Sequence, residues 1–404
     1  MTVGRKLLIG SLLALLAIVW FSAQGWLTYR LFTSRFPGAN DFLARWAPGC
    51  ALLWYGENPY SEQATLRAQL IMHGRPAQPG EDHAPFFYPL YALVFVAPFC
   101  LTQNYPLAQA YWMTTLFFVL VAGTLLTLSV TRWRPPACLW AFTLLWTALN
   151  YPHARAVLLG QFNLLVFLGV GLTLFFLARH ADLAAGACLV ITTVKPQLSF
   201  MVIAWLLWWT ACQRRWRFWV GFALVVGVAA GVCFLVVPSW MGDFVRQVVH
   251  YDELAGTTYH SLTWIMVRHF LGAGPPLEAV VIAGFLVAAL VISWRYRLAQ
   301  GDGMLWATAM VLLLTQFVAP RVATTGYAVL LFALFLLFRR WTQSMGRHWL
   351  ALVVQLALLV GQWALFLATI EGNVETAAVY LLFPVPLLVA LVLDRPSTNT
   401  DSGS

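Results

Sequence analysis

Apolar runs about 20 residues long recur through this chain, and they constrain its fold more than any other feature. Each run is long enough to cross roughly 30 Å of hydrocarbon as a helix. The runs follow one another from Leu7 to Leu393, separated by short arginine-bearing turns, and we count about twelve. Because 61% of the residues are hydrophobic and only 10% are charged, polar side chains are too few to cover a soluble globule. The sequence therefore predicts an all-α polytopic membrane protein.

The positions of the charged residues predict how the chain crosses the membrane. Cytoplasmic loops of membrane proteins carry an excess of Lys and Arg. Starting inside at Arg5, this bias holds if residues from about 30 to about 105 form one long outer segment and later loops are short. Most of the 24 Lys and Arg residues then lie inside, and most of the 15 acids lie outside. Both termini are predicted to be cytoplasmic, and the net charge of +9 reflects topology instead of a nucleic-acid partner.

A helix is predicted directly after Asp41, in the long outer segment. Apolar and aromatic residues recur at helical spacing over residues 42–55, which predicts an amphipathic helix lying in the outer membrane interface. Asn40 and Asp41 occupy its N-cap position, and Gly56 ends it. On spacing alone, Asp41 is a helix cap. The alternative is a carboxylate at the membrane surface that accepts a proton from a hydroxyl nucleophile.

Two further helices are predicted in the same segment. Ser61 can cap a helix that reaches about His73. The apolar run 86–99 has a proline near each end and is short for a span, so we predict an interfacial or dipping helix that does not cross. No internal repeat is visible. We therefore predict one membrane domain over residues 1–395 and a disordered tail over 396–404.

Neither the cysteines nor the acidic residues indicate a metal centre. The six cysteines show no CxxC or other metal-ligand spacing, and most are expected to be small apolar packing residues. His73, Glu81, Asp82 and His83 could be assembled into a metal site, but their spacing matches no known ligand pattern. We expect no metal and no cofactor.

Three isolated cations are predicted at the outer ends of later helices: Arg155, Lys195 and Arg321. Each can extend its charged group to the membrane interface or bind an anion such as a lipid phosphate. Arginine offers a bidentate fork for that purpose. His260 lies in a predicted outer loop, where a solvated histidine is the simpler interpretation.

Several short motifs follow one another between Asp41 and Arg217. They are D-F-x-x-x-W, G-x-N-P-Y, F-x-Y-P, G-Q-F-N and K-P-Q before an Arg-Arg-Trp-Arg turn, with a weaker echo in His260-Ser261-Leu262 and Ala319-Pro320-Arg321. Their order resembles glycosyltransferase family 87, whose members depend on polyprenyl-phosphate sugars and have the multi-spanning C-type (GT-C) fold. The resemblance implies an inverting transfer of a sugar from a lipid-linked donor to a hydroxyl of a lipid or glycan acceptor at the outer face.

The resemblance also implies roles for single residues. Asp41 matches the general base of the family, and Lys195, Arg155 and Arg321 would hold the phosphate that leaves. Polar residues of the motifs become candidates for substrate binding, namely Gln161, Asn163, His260, Tyr60 and Tyr88.

The chain departs from the family pattern in two places. Leu90 follows Tyr88-Pro89 where a second proline is usual, and no histidine follows the late proline motif, where residues 323–327 read Ala-Thr-Thr-Gly-Tyr. Mannosyltransferase members tend to carry that histidine. The sugar is therefore left open among mannose and other hexoses or pentoses.

Two other functions are compatible with a dozen apolar helices. A transporter or lipid flippase could use helices interrupted at Lys195-Pro196 and Pro320-Arg321 as a substrate site. A membrane scaffold would need no chemistry, although the long outer segment containing Asp41 argues against it. The predicted charges lie at the ends of spans and no repeated halves are evident, which favours an enzyme over a transporter.

Overall fold

The computed structural model describes residues 3–36, 40–78, 81–250, 261–371 and 375–396. Within these ranges the chain is helical and contains no β-strand. Seven of the described helices are long and apolar enough to cross a membrane, and a bent pair of helices would make an eighth. Four shorter apolar helical segments also occur. The structure confirms a polytopic all-α membrane protein, while the number of about twelve spans stays a prediction.

The α-helices follow one another along the chain from α1 to α18. The first nine are α1 (Val3–Thr28), α2 (Asn40–Tyr55), α3 (Glu62–His73), α4 (Tyr105–Thr131), α5 (Ala137–Leu149), α6 (Tyr151–Leu158), α7 (Asn163–Leu177), α8 (Asp182–Leu189) and α9 (Phe200–Cys212). The others are α10 (Trp216–Val236), α11 (Trp240–Val249), α12 (Leu262–Trp264), α13 (Pro275–Arg295), α14 (Gly301–Val318), α15 (Leu331–Met345), α16 (His348–Thr369), α17 (Ala377–Leu381) and α18 (Pro384–Leu393). Short 3₁₀ or π segments join several of them: Tyr29–Thr33, Leu90–Phe95, Ala97–Leu101, Val190–Val194, Pro196–Leu198, Ile265–Phe270 and Thr324–Leu330.

The chain packs into two compact units. The first consists of residues Met1–Phe118, Val157–Gln161 and Cys233–Gly256, and the second of Val119–Ala156, Phe162–Val232 and Thr257–Ser404. The predicted outer segment lies in the first unit. The predicted disordered tail falls almost wholly outside the described residues, which end at 396.

The helices predicted over residues 42–55 and from Ser61 to about His73 are confirmed as α2 and α3. Gly56 ends α2 with a φ of 70°, a left-handed conformation that glycine adopts readily. The Ser61 side chain accepts a hydrogen bond from the Ala64 amide at 3.2 Å, which is the capping bond expected at the start of α3. Gly74, with a φ of 70°, ends that helix. Local capping signals therefore determine these boundaries.

Part of the apolar face of α2 is covered by protein, whereas Leu53 near its end is 57% exposed, and the location of α2 in the membrane interface stays a prediction. Phe42, Trp46 and Cys50 are fully buried. The indole of Trp46 donates a hydrogen bond to the Phe99 carbonyl at 2.9 Å, and that of Trp54 to the Cys100 carbonyl at 2.9 Å. These bonds hold α2 against the 3₁₀ helix at Ala97–Leu101.

A disulfide between Cys50 and Cys100 joins the same two elements, with 5.2 Å between their Cα atoms. The prediction that most cysteines are simple packing residues is therefore wrong for this pair. The pair is separated by 50 residues and matches no short spacing motif, so only the three-dimensional structure identifies it. Cys138, Cys188, Cys212 and Cys233 are free thiols.

The run predicted not to cross the membrane forms two short 3₁₀ helices, Leu90–Phe95 and Ala97–Leu101. Neither is long enough to span the hydrocarbon layer. Pro89 precedes the first and Pro98 lies in the first turn of the second, where a missing amide hydrogen does no harm. This prediction is confirmed in its main point, since no span is formed by this run.

Candidate active site

Asp41 lies in the first turn of α2, and its carboxylate contacts a distant part of the first unit. Its Oδ2 accepts a hydrogen bond from Nε2 of Gln161 at 2.7 Å, across 120 residues of sequence. In the described residues no backbone amide of α2 donates to this carboxylate. The capping role that the spacing favours is therefore replaced by a tertiary contact with the G-Q-F-N motif.

Arg45 supports Asp41 from one helical turn further along α2 and is only 2% exposed. Its Nη1 donates to the carbonyl oxygen of Asp41 and, at 3.3 Å, to that of Gly160. Its Nη2 donates to the hydroxyl of Tyr88 and, at 3.4 Å, to Oε1 of Gln161. The guanidinium therefore joins three separate segments around Asp41. Sequence reasoning missed this residue, although an arginine four positions after a carboxylate lies on the same helix face.

Tyr60 and Tyr88 complete the cluster around Arg45. The Tyr60 hydroxyl donates to the Tyr88 carbonyl at 2.6 Å, and the Arg45 guanidinium lies 4.5 Å from the centre of the Tyr88 ring. Burial raises the pKa of Tyr60 well above its ordinary value, so the phenol remains a neutral donor. Four candidate residues from four separate motifs, Asp41, Tyr60, Tyr88 and Gln161, thus lie in one hydrogen-bonded cluster.

The acidic and histidine residues near His73, whose spacing matches no metal-ligand pattern, have other partners. Glu81 forms an ion pair with Arg75 at 2.8 Å, and the hydrogen bond from Arg75 lowers the pKa of Glu81 to about 2. Asp82 Oδ1 accepts from the amide of Ala84 at 2.8 Å. His73 contacts the Asp82 carbonyl through Nε2 at 3.2 Å. Among the described residues no group of three or more His, Cys, Asp or Glu side chains could hold a metal ion.

Arg155 is not an isolated cation, which corrects the sequence prediction. In the second unit its Nη1 forms an ion pair with Oε1 of Glu375, and Nη1 also donates to the Tyr151 hydroxyl at 3.2 Å. The hydroxyls of Tyr151 and Thr324 donate to the same Glu375 oxygen. Glu375 is buried, and no sequence pattern indicates this partner because it lies 220 residues further along the chain.

The segments that carry the other predicted cations meet in the second unit. Asn163, the first residue of α7, donates through Nδ2 to the Thr325 hydroxyl at 2.8 Å. A Cβ placed on Gly326 would lie 3.0 Å from Leu198, so the chain after Arg321 packs on the segment after Lys195. Lys195 and Arg321 are both partly buried. His260 lies outside the described residues.

Comparison with known proteins identifies a family for this chain. The sequence matches the model of glycosyltransferase family 87 over residues 86–320, which is more than half of the chain. The match contains Tyr88, Arg155, Gln161, Asn163 and Lys195, whereas Asp41, Tyr60 and Arg321 lie outside it. No curated protein and no solved structure matches the chain.

Proposed function

This chain belongs to glycosyltransferase family 87 and is a membrane glycosyltransferase, and we propose that its donor is a sugar carried on a polyprenyl phosphate. The sugar, mannose or another hexose or pentose, passes to a hydroxyl of a lipid or glycan acceptor with inversion at the anomeric carbon. Asp41 is the general base. We propose no cofactor for the reaction, and the donor itself is the lipid-linked sugar.

The hydrogen-bonded cluster around Asp41 is the observation that carries this proposal. Its members come from the D-F, N-P-Y, F-x-Y-P and G-Q-F-N motifs, which are widely separated in sequence. A helix cap needs only local partners. A carboxylate held by Gln161, in a helical turn whose Asp41 carbonyl is bound by Arg45, is instead positioned as catalytic groups must be.

The proposed chemistry is a single displacement. Asp41 accepts the proton of the acceptor hydroxyl while that oxygen forms a bond to the anomeric carbon. The bond between this carbon and the phosphate oxygen breaks, and polyprenyl phosphate leaves with its electron pair. Attack opposite the leaving group inverts the configuration. Gln161 keeps the carboxylate in place during the proton transfer, and Arg45 binds the backbone carbonyl of the same residue.

The leaving phosphate needs positive charge, which we assign to Lys195 and Arg321. Charge-assisted hydrogen bonds from these side chains stabilise the developing negative charge. Arg155 contributes less charge because Glu375 already compensates it. We assign Arg155 an orienting role instead, through the neighbouring Thr324 that shares Glu375 with it.

The proposed active site faces the outside of the cell membrane, with both termini in the cytoplasm. The charge distribution along the sequence supports this orientation. The Cys50–Cys100 disulfide supports it independently, because disulfides form and persist in oxidising compartments and are rare in the cytosol. One of its two cysteines, Cys50, lies in α2, the helix that carries Asp41.

The test compares purified wild-type protein with the Asp41→Asn variant, using a panel of polyprenyl-phosphate sugars and host lipid extract as acceptor. Release of free polyprenyl phosphate is measured. Loss of a general base is expected to lower kcat by about 10²- to 10⁴-fold, or roughly 3 to 5 kcal/mol of barrier. Glu62→Gln, which removes an exposed carboxylate from the first turn of α3, is the matched control and should keep full activity.

Different outcomes would contradict different parts of the proposal: the base, the donor and the enzymatic function. Equal turnover in the wild-type protein and Asp41→Asn would remove the catalytic assignment of Asp41. A parallel assay offers nucleotide sugars and measures sugar transfer to the lipid extract. Transfer from nucleotide sugars, with none from the polyprenyl-phosphate sugars, would overturn the lipid-linked donor. No transfer from any donor, together with movement of labelled lipid between leaflets, would favour the flippase alternative.

A further inference from the structure

A polar cavity lies in the second unit, at the end of α4 and between α15 and α16. Its volume is about 420 Å³, within the range of small-ligand pockets. Arg132, Trp133, Arg134, Arg339 and His348 line it. None of these residues has a role in the proposed sugar transfer. As a sequence pattern, the Arg-Trp-Arg turn indicates only which side of the membrane it faces.

Two buried N–H groups of this cavity have no acceptor among the described residues. They are Nε1 of Trp133, whose residue is 3% exposed, and Nε of Arg339, whose residue is 6% exposed. Nδ1 of His348 is likewise buried without a partner. A buried donor without an acceptor is destabilising. Two such donors and the unpartnered His348 nitrogen around one cavity indicate that a ligand with acceptor atoms belongs there.

The Trp133 ring is held in place, so its N–H is a fixed feature of the cavity. The ring packs against Phe335 and Phe338, with centroid distances of 5.3 and 5.0 Å. Arg339 is fixed as well, since Nη1 donates to the Thr131 carbonyl at 3.2 Å and Nη2 pairs with Asp302. The Nε–H of Arg339, which is buried, remains without an acceptor among the described residues.

The charge of the cavity is positive. Asp302 compensates Arg339. Arg132 and Arg134 are exposed, and neither forms an ion pair with a described carboxylate. The nearby Arg340 is paired with Asp394. By contrast, the Arg-Arg-Trp-Arg turn at 214–217 includes Arg215, which is paired with Asp182. The positive-inside rule accounts for arginines in a loop, but it does not account for buried N–H donors beside two arginines that have no described carboxylate partner.

We propose that this cavity binds a phosphate group, held by Arg132 and Arg134 at its mouth and by the buried nitrogens within. Phosphate oxygens accept several hydrogen bonds at once, and arginine matches their geometry. The cavity lies at the ends of apolar helices, where phospholipid headgroups are available. Inorganic phosphate and a phospholipid headgroup share the required chemistry. The site is independent of the proposed sugar transfer.

The experiment uses the full-length protein in a neutral detergent and measures the thermal unfolding midpoint against ligand concentration. The probes are inorganic phosphate, short-chain phosphatidylglycerol and short-chain phosphatidylcholine. The variant is Arg132→Gln/Arg134→Gln, which changes exposed residues only. The matched control is Arg214→Gln/Arg217→Gln, which removes the same charge from another arginine turn with exposed side chains.

We expect a saturable rise of the midpoint with phosphatidylglycerol or with phosphate, since a ligand that binds only the folded state stabilises it. A rise with phosphatidylglycerol alone identifies a lipid headgroup, and a rise with phosphate at similar concentrations identifies the free anion. Binding should be at least about tenfold weaker in Arg132→Gln/Arg134→Gln, because two charge-assisted hydrogen bonds exceed the ~1.4 kcal/mol that a factor of ten requires. Trp133→Phe, which keeps the ring and removes the N–H, should also weaken binding.

Several results would overturn the proposal. They are no rise with any anionic probe, equal binding in the wild-type protein and Arg132→Gln/Arg134→Gln, and an equal loss in the control variant. The last would show a non-specific effect of charge. A rise with phosphatidylcholine of the same size in the wild-type protein and in Arg132→Gln/Arg134→Gln would also count against it, because that response would reflect the lipid tails.

Discussion

Gly160 meets two requirements that no other residue type satisfies. Its φ of 70° lies in the left-handed region, which costs L-residues with a side chain about 1–2 kcal/mol. A Cβ at this position would lie 2.7 Å from the Cβ of Phe42. The Gly160 carbonyl accepts hydrogen bonds from Trp112 at 3.0 Å and from Arg45 at 3.3 Å. The glycine of the G-Q-F-N motif therefore allows the close approach that brings Gln161 to Asp41.

Gly160→Ala is expected to lower the free energy of unfolding by about 2–5 kcal/mol, because left-handed strain and overpacking add. Activity should fall as well, since Gln161 must shift away from Asp41. Gly56→Ala is the control: its φ is also 70°, but no atom lies within 4 Å of the new Cβ. Denaturant unfolding of both variants measures the difference. Equal destabilisation would mean that the overlap with Phe42 is relieved without loss of stability.

For the helices, the sequence predicted where several of them end but not which distant residues they contact. Gly56 and Ser61 act within a few residues, so the bounds of α2 and α3 could be predicted. The G-Q-F-N motif marks a sharp break, with α6 and α7 bent by 115°, an angle that no local signal encodes. Partners such as Arg45 for Tyr88, or Glu375 for Arg155, depend on tertiary packing over long separations. A single sequence carries no periodic pattern for such pairs.

A second prediction concerns the ion pair between Arg155 in α6 and Glu375, which lies just before α17. Arg155→Leu leaves Glu375 buried and without its cation, which should lower the free energy of unfolding by about 3–5 kcal/mol. Adding Glu375→Gln should recover part of that loss, because a neutral amide still accepts hydrogen bonds from Tyr151 and Thr324. Unfolding of the wild-type protein, both single variants and the double variant gives the coupling energy. Additive effects would show that the pair does not act as a unit.

For the molecule as a whole, the disulfide and the charge pattern both favour an outer location for the segment before α4. The charges predict that the segment before α4 lies outside. The Cys50–Cys100 bond, within that segment, favours an oxidising compartment, because disulfides are rare in the cytosol. Free thiols such as Cys138 lie elsewhere in the chain and carry no such requirement.

Thiol labelling of isolated membranes tests this agreement. The membranes are dissolved in denaturing detergent without reductant, because Cys50 and Cys100 are buried in the folded protein. A maleimide reagent is then expected to label Cys138 and to leave Cys50 and Cys100 unlabelled. The Cys50→Ser/Cys100→Ser variant should lose about 4 kcal/mol of unfolding free energy, the value expected for closing a loop of about 50 residues. Cys138→Ser/Cys212→Ser is the control and should be close to neutral. Labelling of Cys50 or Cys100 before reduction would contradict the outer location of α2.

The disulfide also sets an order of events during synthesis. Cys50 and Cys100 leave the ribosome well before Gln161, and about sixty further residues take roughly 3–12 seconds to make at normal translation rates. In that interval α2 can already be fastened to Ala97–Leu101, while Asp41 has not met the glutamine that binds its carboxylate. The anchor of the candidate base can therefore form before the G-Q-F-N motif is made, and the hydrogen-bonded cluster is completed only after that motif is made.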